Sequence, residues 1–101
     1  MAFTTVARVS EVPAGGMKQV SVGGKTLALC NVGGTIHAID NECPHRNGPL
    51  AEGQLQGTEL ECPWHGARFD VSTGAVLNPP ARTGVKTYKV QVVGEEVQVE
   101  V

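Results

Sequence analysis

Uninterrupted stretches are what this 101-residue sequence lacks. Its 13 glycines and 6 prolines leave no internal run longer than Thr35–Cys43 or Val85–Val93 free of both, and only Met1–Val12 is longer. A helix interior loses about 1 kcal/mol per Gly and about 3 kcal/mol per Pro, and isolated short helices are marginal in any case. A helical bundle is therefore excluded, repeated strand–helix units are disfavoured, and the length leaves no room for a separate catalytic domain. Aromatics are also scarce: Phe3, Trp64, Phe69 and Tyr88 are all there are, so the core must be aliphatic and thin. Charge of one sign is missing too. Eight basic against ten acidic residues give a net charge of −2, which speaks against nucleic acid or an anionic membrane as a main partner. No apolar run approaches the roughly 20 residues of a membrane span. Met1–Gly16 shows neither a continuous apolar core nor a small-residue cleavage pattern, so a cytoplasmic protein is expected. Three cysteines are an odd number for a disulfide framework and point to metal or thiol chemistry.

What is present reads as short strands between turns. Val20–Val22 and Lys25–Val32 flank Gly23-Gly24, and Gly33-Gly34 leads into Thr35–Ile39. Such dipeptides signal hairpins because glycine tolerates positive φ. At the other end, Val85–Val93 and Glu96–Val101 flank Gly94-Glu95, and Val97, Val99 and Val101 alternate with polar residues. Strand 25–32 is apolar on both faces, as expected in the middle of a sandwich. The expected fold is all-β: an antiparallel sandwich built from residues 1–42 and 81–101, with an irregular module, residues 43–80, inserted into it as one domain.

All the candidate metal ligands lie in that module. Cys43-Pro44-His45 is followed, after a sixteen-residue gap, by Cys62-Pro63-Trp64-His65. Each segment brings one thiolate and one imidazole to a tight turn, and two such turns converging make a Cys₂His₂ set. The prolines fix φ and remove an amide donor just after a cysteine, while Gly48 and Gly66 permit crowded backbone just past the histidines. Two centres suit this donor set: a closed tetrahedral zinc site, or a [2Fe–2S] cluster with two histidines on one iron. Zinc patterns usually pair like with like, whereas each turn here is mixed, which favours the two-iron centre.

Cys43-Pro-His45 and Cys62-Pro-Trp-His65-Gly66, followed by Phe69-Asp70 and Thr73-Gly74, resemble the binding motif of Rieske-type [2Fe–2S] proteins. Glu11-Val-Pro-Ala-Gly15, the Gly-Gly hairpins and the Tyr88-x-Val90-x-Val92 strand extend the resemblance to soluble Rieske ferredoxins over nearly the whole chain. The resemblance implies a Rieske-like sandwich with a cluster-binding subdomain and one [2Fe–2S] cluster. Cys43 and Cys62 would ligate the buried iron, and His45 and His65 the outer iron that takes up the electron. It also implies a one-electron carrier, not an enzyme in itself, between a flavin-dependent reductase and a terminal ring-hydroxylating oxygenase. Docking would be transient, at the His45/His65 end, with the chain a monomer.

Departures from the high-potential members of the family are informative. Gly48 and Trp64 stand where those proteins carry a disulfide, and Ala67 and Phe69 where they carry hydroxyls that hydrogen-bond cluster and cysteine sulfurs. Two such bonds, at about 1.5–3 kcal/mol each, correspond to about 0.1–0.3 V, which places the expected potential at the low end of the Rieske range, about −150 mV. The same resemblance implies a potential nearly flat in pH around neutrality. Loss of iron is expected to loosen the central module before the hairpins.

The remaining residues carry simpler expectations. Cys30 reads as an inert core thiol and His37 as an ordinary strand histidine. Trp64, Leu50 and Pro79-Pro80 are expected to form an apolar rim around the cluster. Arg46 and Arg68 are placed to meet an acidic partner or only solvent, and Glu42, Glu52, Glu59 and Glu61 to meet a basic one. Two other functions fit the sequence: the small Rieske subunit of another reductase, such as nitrite reductase, and a zinc-stabilised interaction module.

Overall fold

Paired glycines with positive φ build the centre of the molecule. The computed structural model describes residues 3–41, 50–63, 66–78 and 84–100. Its strands, in chain order, are β1 (Phe3–Arg8), β2 (Met17–Val22), β3 (Lys25–Val32), β4 (Thr35–Asp40), β5 (Gln54–Gln56), β6 (Glu59–Glu61), β7 (Arg68–Asp70), β8 (Val76–Asn78), β9 (Thr87–Tyr88), β10 (Val90–Val93) and β11 (Glu96–Glu100). Gly23 and Gly24 (φ 56° and 78°) turn β2 into β3, and Gly33 and Gly34 (φ 57° and 97°) turn β3 into β4. Both central residues at positive φ match the right-handed twist of the flanking strands, so each loop closes in two residues. The strands form three antiparallel sheets, ordered β1–β11–β10, β2–β3–β4–β9 and β5–β6–β7–β8. The fold is all-β, as expected. The helical content of the described residues is two 3₁₀ turns, Val9–Glu11 and Leu50–Glu52, and no described helix is long and apolar enough to cross a membrane.

The middle sheet separates two cores. Leu27 and Leu29 of β3 pack with Ala7, Val12, Val20, Ile36, Ala38, Val97 and Val99. Ala28 and Cys30, on the opposite face of the same strand, pack with Ile39, Leu50, Leu60, Cys62, Ala67, Phe69 and Val71. All four β3 residues are completely buried, which is what a strand apolar on both faces requires. The first cluster fills the sandwich between β1–β11–β10 and the middle sheet. The second fills the space between the middle sheet and residues 50–78.

Three details differ from the sequence reading. The single strand expected over Val85–Val93 is two strands: Thr87 and Tyr88 pair with Ile39 and Ala38 in one sheet, whereas Val90–Val93 pair with β11 in another. The chain turns the corner of the sandwich at Lys89, whose carbonyl accepts the Glu100 N–H at 2.9 Å. The central region, expected to be irregular, holds a four-stranded meander of three-residue strands. Leu50, expected on an exposed rim, is fully buried in the second core instead. Its side chain faces the middle sheet's packing and not solvent.

Candidate metal centre

The hairpin β6–β7 carries the described part of the motif. Its last cross-strand pair is Glu61 opposite Arg68, after which the chain leaves the sheet for a six-residue loop. The Cys62 N–H donates to the Ala67 carbonyl at 2.7 Å, and the Gly66 N–H returns to the Cys62 carbonyl at 3.2 Å. Gly66 has a φ of 74°, the left-handed conformation that lets the chain fold back so tightly. Cys62 is thereby held with only 2 % of its surface exposed, against Ala67 and Phe69, which are completely buried. Neither neighbour has a hydroxyl, so the side chains on this wall of the site offer Cys62 no O–H donor. Of the four expected ligands, Cys62 lies in a buried turn; Cys43, His45 and His65 lie outside the described residues.

The segment that bears Cys43 and His45 leaves the described chain at Asn41 and returns at Leu50. These two ends are joined. The Leu50 N–H donates to the Asn41 carbonyl at 2.7 Å, and the Ala51 N–H donates to the Asn41 side-chain oxygen at 2.9 Å. Asn41 is itself tied to the middle sheet through its own N–H, which donates to the Thr26 carbonyl at 3.0 Å. The turn that follows then lies on the second ligand hairpin. A Cβ on Gly53 would run into the Glu61 carbonyl, so only glycine allows this approach one residue before Cys62. Leu50 and Cys62 share one core, so the return of the Cys43/His45 segment and the start of the Cys62 loop rest on a common apolar base.

The surroundings differ in charge from place to place. Cys30, in the same core as Cys62, has its thiol pushed up to about 12 by burial, so it stays neutral and unreactive. Neither described cysteine forms a disulfide. Arg68 does not project free: it meets Glu61 at 3.2 Å on the outer face of the hairpin. Glu52 and Glu59 are exposed, His37 is half-buried in β4, and Arg46, Glu42, Trp64, Pro79 and Pro80 lie outside the described residues. Near the start of the first segment, the Tyr88 hydroxyl donates to Asp40 at 2.7 Å, and Lys25 and Lys86 sit 5.4 and 5.2 Å from its ring centre. The sequence reading missed Asn41 and Gly53. The signal for Gly53 was a glycine outside any turn pair; Asn41 gave none.

A buried free cysteine on a tight turn, packed against the carbon side chains of Ala67 and Phe69, fits one corner of a cysteine-ligated iron–sulfur centre. The profile of the Rieske [2Fe–2S] domain matches residues 2–89. The chain belongs to that family. This Rieske protein is 44% identical over 90 residues to the ferredoxin component of the naphthalene 1,2-dioxygenase system of Pseudomonas aeruginosa, an alignment covering 89% of this chain and 86% of the relative. Its fold superposes on the ferredoxin of carbazole 1,9a-dioxygenase from Nocardioides aromaticivorans IC177 with a TM-score of 0.93, at 33% identity and with 98% and 97% of the two chains covered. It also matches a chain in a complex of reduced oxygenase and oxidized ferredoxin in carbazole 1,9a-dioxygenase (TM-score 0.90, 34% identity, 96% and 91% covered). Family membership makes the cofactor a [2Fe–2S] cluster and removes the zinc alternative.

Proposed function

We propose that this Rieske protein is the one-electron carrier of a ring-hydroxylating oxygenase system, between a flavin-dependent reductase and a terminal oxygenase. The likeness to a dioxygenase ferredoxin across nearly the full length of both chains carries this reading, and favours it over a nitrite reductase subunit. The cluster, when bound, supplies the one-electron couple. Cys43 and Cys62 are the proposed ligands of its inner iron, and His45 and His65 of its outer iron. The chain divides on this reading into a basal sandwich, residues 1–42 and 81–101, and a cluster-binding module, residues 43–80.

The described residues account for three parts of the task. The loop closed by Cys62, Ala67 and Gly66 holds the Cys62 backbone by two hydrogen bonds, which on this reading would limit movement of that ligand on a change of charge. The apolar side chains of Ala67, Phe69 and Leu50 keep water from the inner side of the site. The absence of a hydroxyl on Ala67 and Phe69 leaves the more negative, reduced state with fewer donors, which supports a low potential. Docking at the His45/His65 end, as a monomer, gives partners a short path to the outer iron. A cytoplasmic location is part of the same proposal.

The deciding experiment combines spectroscopy with reconstitution. The purified protein is expected to be red-brown, to contain two irons and two sulfides per chain, and to be reduced by a flavin reductase with NADH and reoxidised by the terminal oxygenase. A colourless zinc protein, or a potential above about +100 mV, overturns the reading.

A further inference from the structure

The two ligand segments are closed by different means. Among the described residues, the Cys62 loop is closed by backbone pairing, through Cys62–Ala67, Gly66–Cys62 and the Glu61–Arg68 register, with the Glu61–Arg68 ion pair on its outer face. The ends of the segment bearing Cys43 and His45 meet instead on one residue, Asn41, which is 4 % exposed. Its carbonyl and its side-chain oxygen take the N–H groups of Leu50 and Ala51, and its own N–H fastens it to Thr26 in the middle sheet. The 3₁₀ turn so captured carries Leu50 into the core of Cys62 and sets Gly53 against the Glu61 carbonyl. A single residue thus relates the exit and return of one proposed ligand segment to the strand that leads into the other, and its side chain contributes the bond to Ala51.

We infer that Asn41 is a positioning residue for the cluster: its side-chain amide fixes the span of the Cys43/His45 segment against the Cys62 hairpin. The inference rests on the ligand assignment proposed above. It predicts that losing the side-chain acceptor weakens the hold on the cluster more than it weakens the fold.

Another buried asparagine provides the control. Asn31, 5 % exposed, donates to the Val12 carbonyl at 2.6 Å and accepts the Gly34 N–H at 2.8 Å. Its side-chain partners belong to the sandwich and none to the central sheet. The experiment uses the holoprotein, with a ferrous chelator in solution and the visible absorbance of the cluster as the clock. Asn41→Ala is expected to speed cluster loss about tenfold, the effect of one lost buried hydrogen bond, and to alter the electron paramagnetic resonance line shape of the reduced protein. Asn31→Ala is expected to lower the unfolding midpoint comparably, while release stays within about twofold of wild type and the line shape is unchanged. Asn41→Asp keeps an acceptor for the Ala51 N–H and is expected to restore the line shape; it carries the comparison if Asn41→Ala does not fold. Equal release rates for Asn41→Ala and Asn31→Ala, with wild-type line shapes in both, overturn the inference. Cys43→Ser tests the underlying assignment separately: a wild-type spectrum in that variant overturns the ligand set, whereas a cluster-free variant leaves Asn41 to be judged on its own rates.

Discussion

The two sides of the middle sheet solve the problem of burial differently. On the sandwich side, strands of up to eight residues supply a core of alanine, valine, leucine and isoleucine, and closing turns of two residues hold the register. On the other side the strands are three residues long, the core contains two thiols and one phenylalanine, and a glycine is needed where two backbones touch. Short strands bring few cross-strand pairs and few ladder hydrogen bonds, so this half has less intrinsic support. The contrast teaches that the sandwich is built to stand alone, whereas the central sheet is built to be completed.

Truncating one leucine on each side tests this most strongly. Leu29→Ala and Leu60→Ala each remove a completely buried side chain and are expected to cost about 2–5 kcal/mol. In Leu29→Ala, loss of visible absorbance and loss of far-ultraviolet circular dichroism should shift down together on heating. In Leu60→Ala the absorbance should disappear first, leaving sheet signal behind. Coincident transitions in both variants would break the distinction.

Gly53→Ala comes next. The added methyl meets the Glu61 carbonyl, and relief of that overlap by backbone movement is expected to cost about 1–3 kcal/mol. Iron content per chain should fall while the circular dichroism of the sandwich persists; a variant with full iron content would show that the contact yields freely.

Tyr88 gives the smallest effect and works at the seam of the two regions. Partial burial, and then the hydrogen bond to and the charge of Asp40, push its hydroxyl up to about 12. The folded protein therefore holds this proton more tightly than the unfolded chain does. The associated stability is complete below pH 10 and is lost as pH rises towards 12. Phenolate absorbance should show the late titration in the native protein, and Tyr88→Phe should cost about 0.5–1.5 kcal/mol at neutral pH while flattening the alkaline decline. A native titration at the ordinary value would contradict it.

How much could be read in advance follows the same division. The Gly-Gly pairs, the Val97-x-Val99 alternation and the two-sided β3 announce themselves because long strands repeat their pattern often enough to be seen. Strands such as Gln54–Gln56 and Glu59–Glu61 contribute one inward side chain each, Leu55 and Leu60, and one residue has no period. The break at Lys89 was equally hidden, since both halves of Val85–Val93 have strand composition and only tertiary pairing assigns them to different sheets. Of the proposed site, the Cys-x-His and Cys-x-x-His spacing stands out in the sequence because ligand chemistry constrains residue type. The support around it was not: Asn41 acts through one side-chain oxygen, and an asparagine at a strand end reads as an ordinary turn residue.

β3 has a consequence for how the chain must be threaded. Leu27 and Leu29 face one compartment and Ala28 and Cys30 the other, so a slip of one residue would exchange the contents of both. Two leucines would crowd the space beside Cys62, and a thiol and a methyl would leave the sandwich underfilled. The two-residue turns at either end of β3 contain no slack to absorb such a slip. They act as index pins, and a single residue inserted between Lys25 and Val32 would misfill both compartments at once.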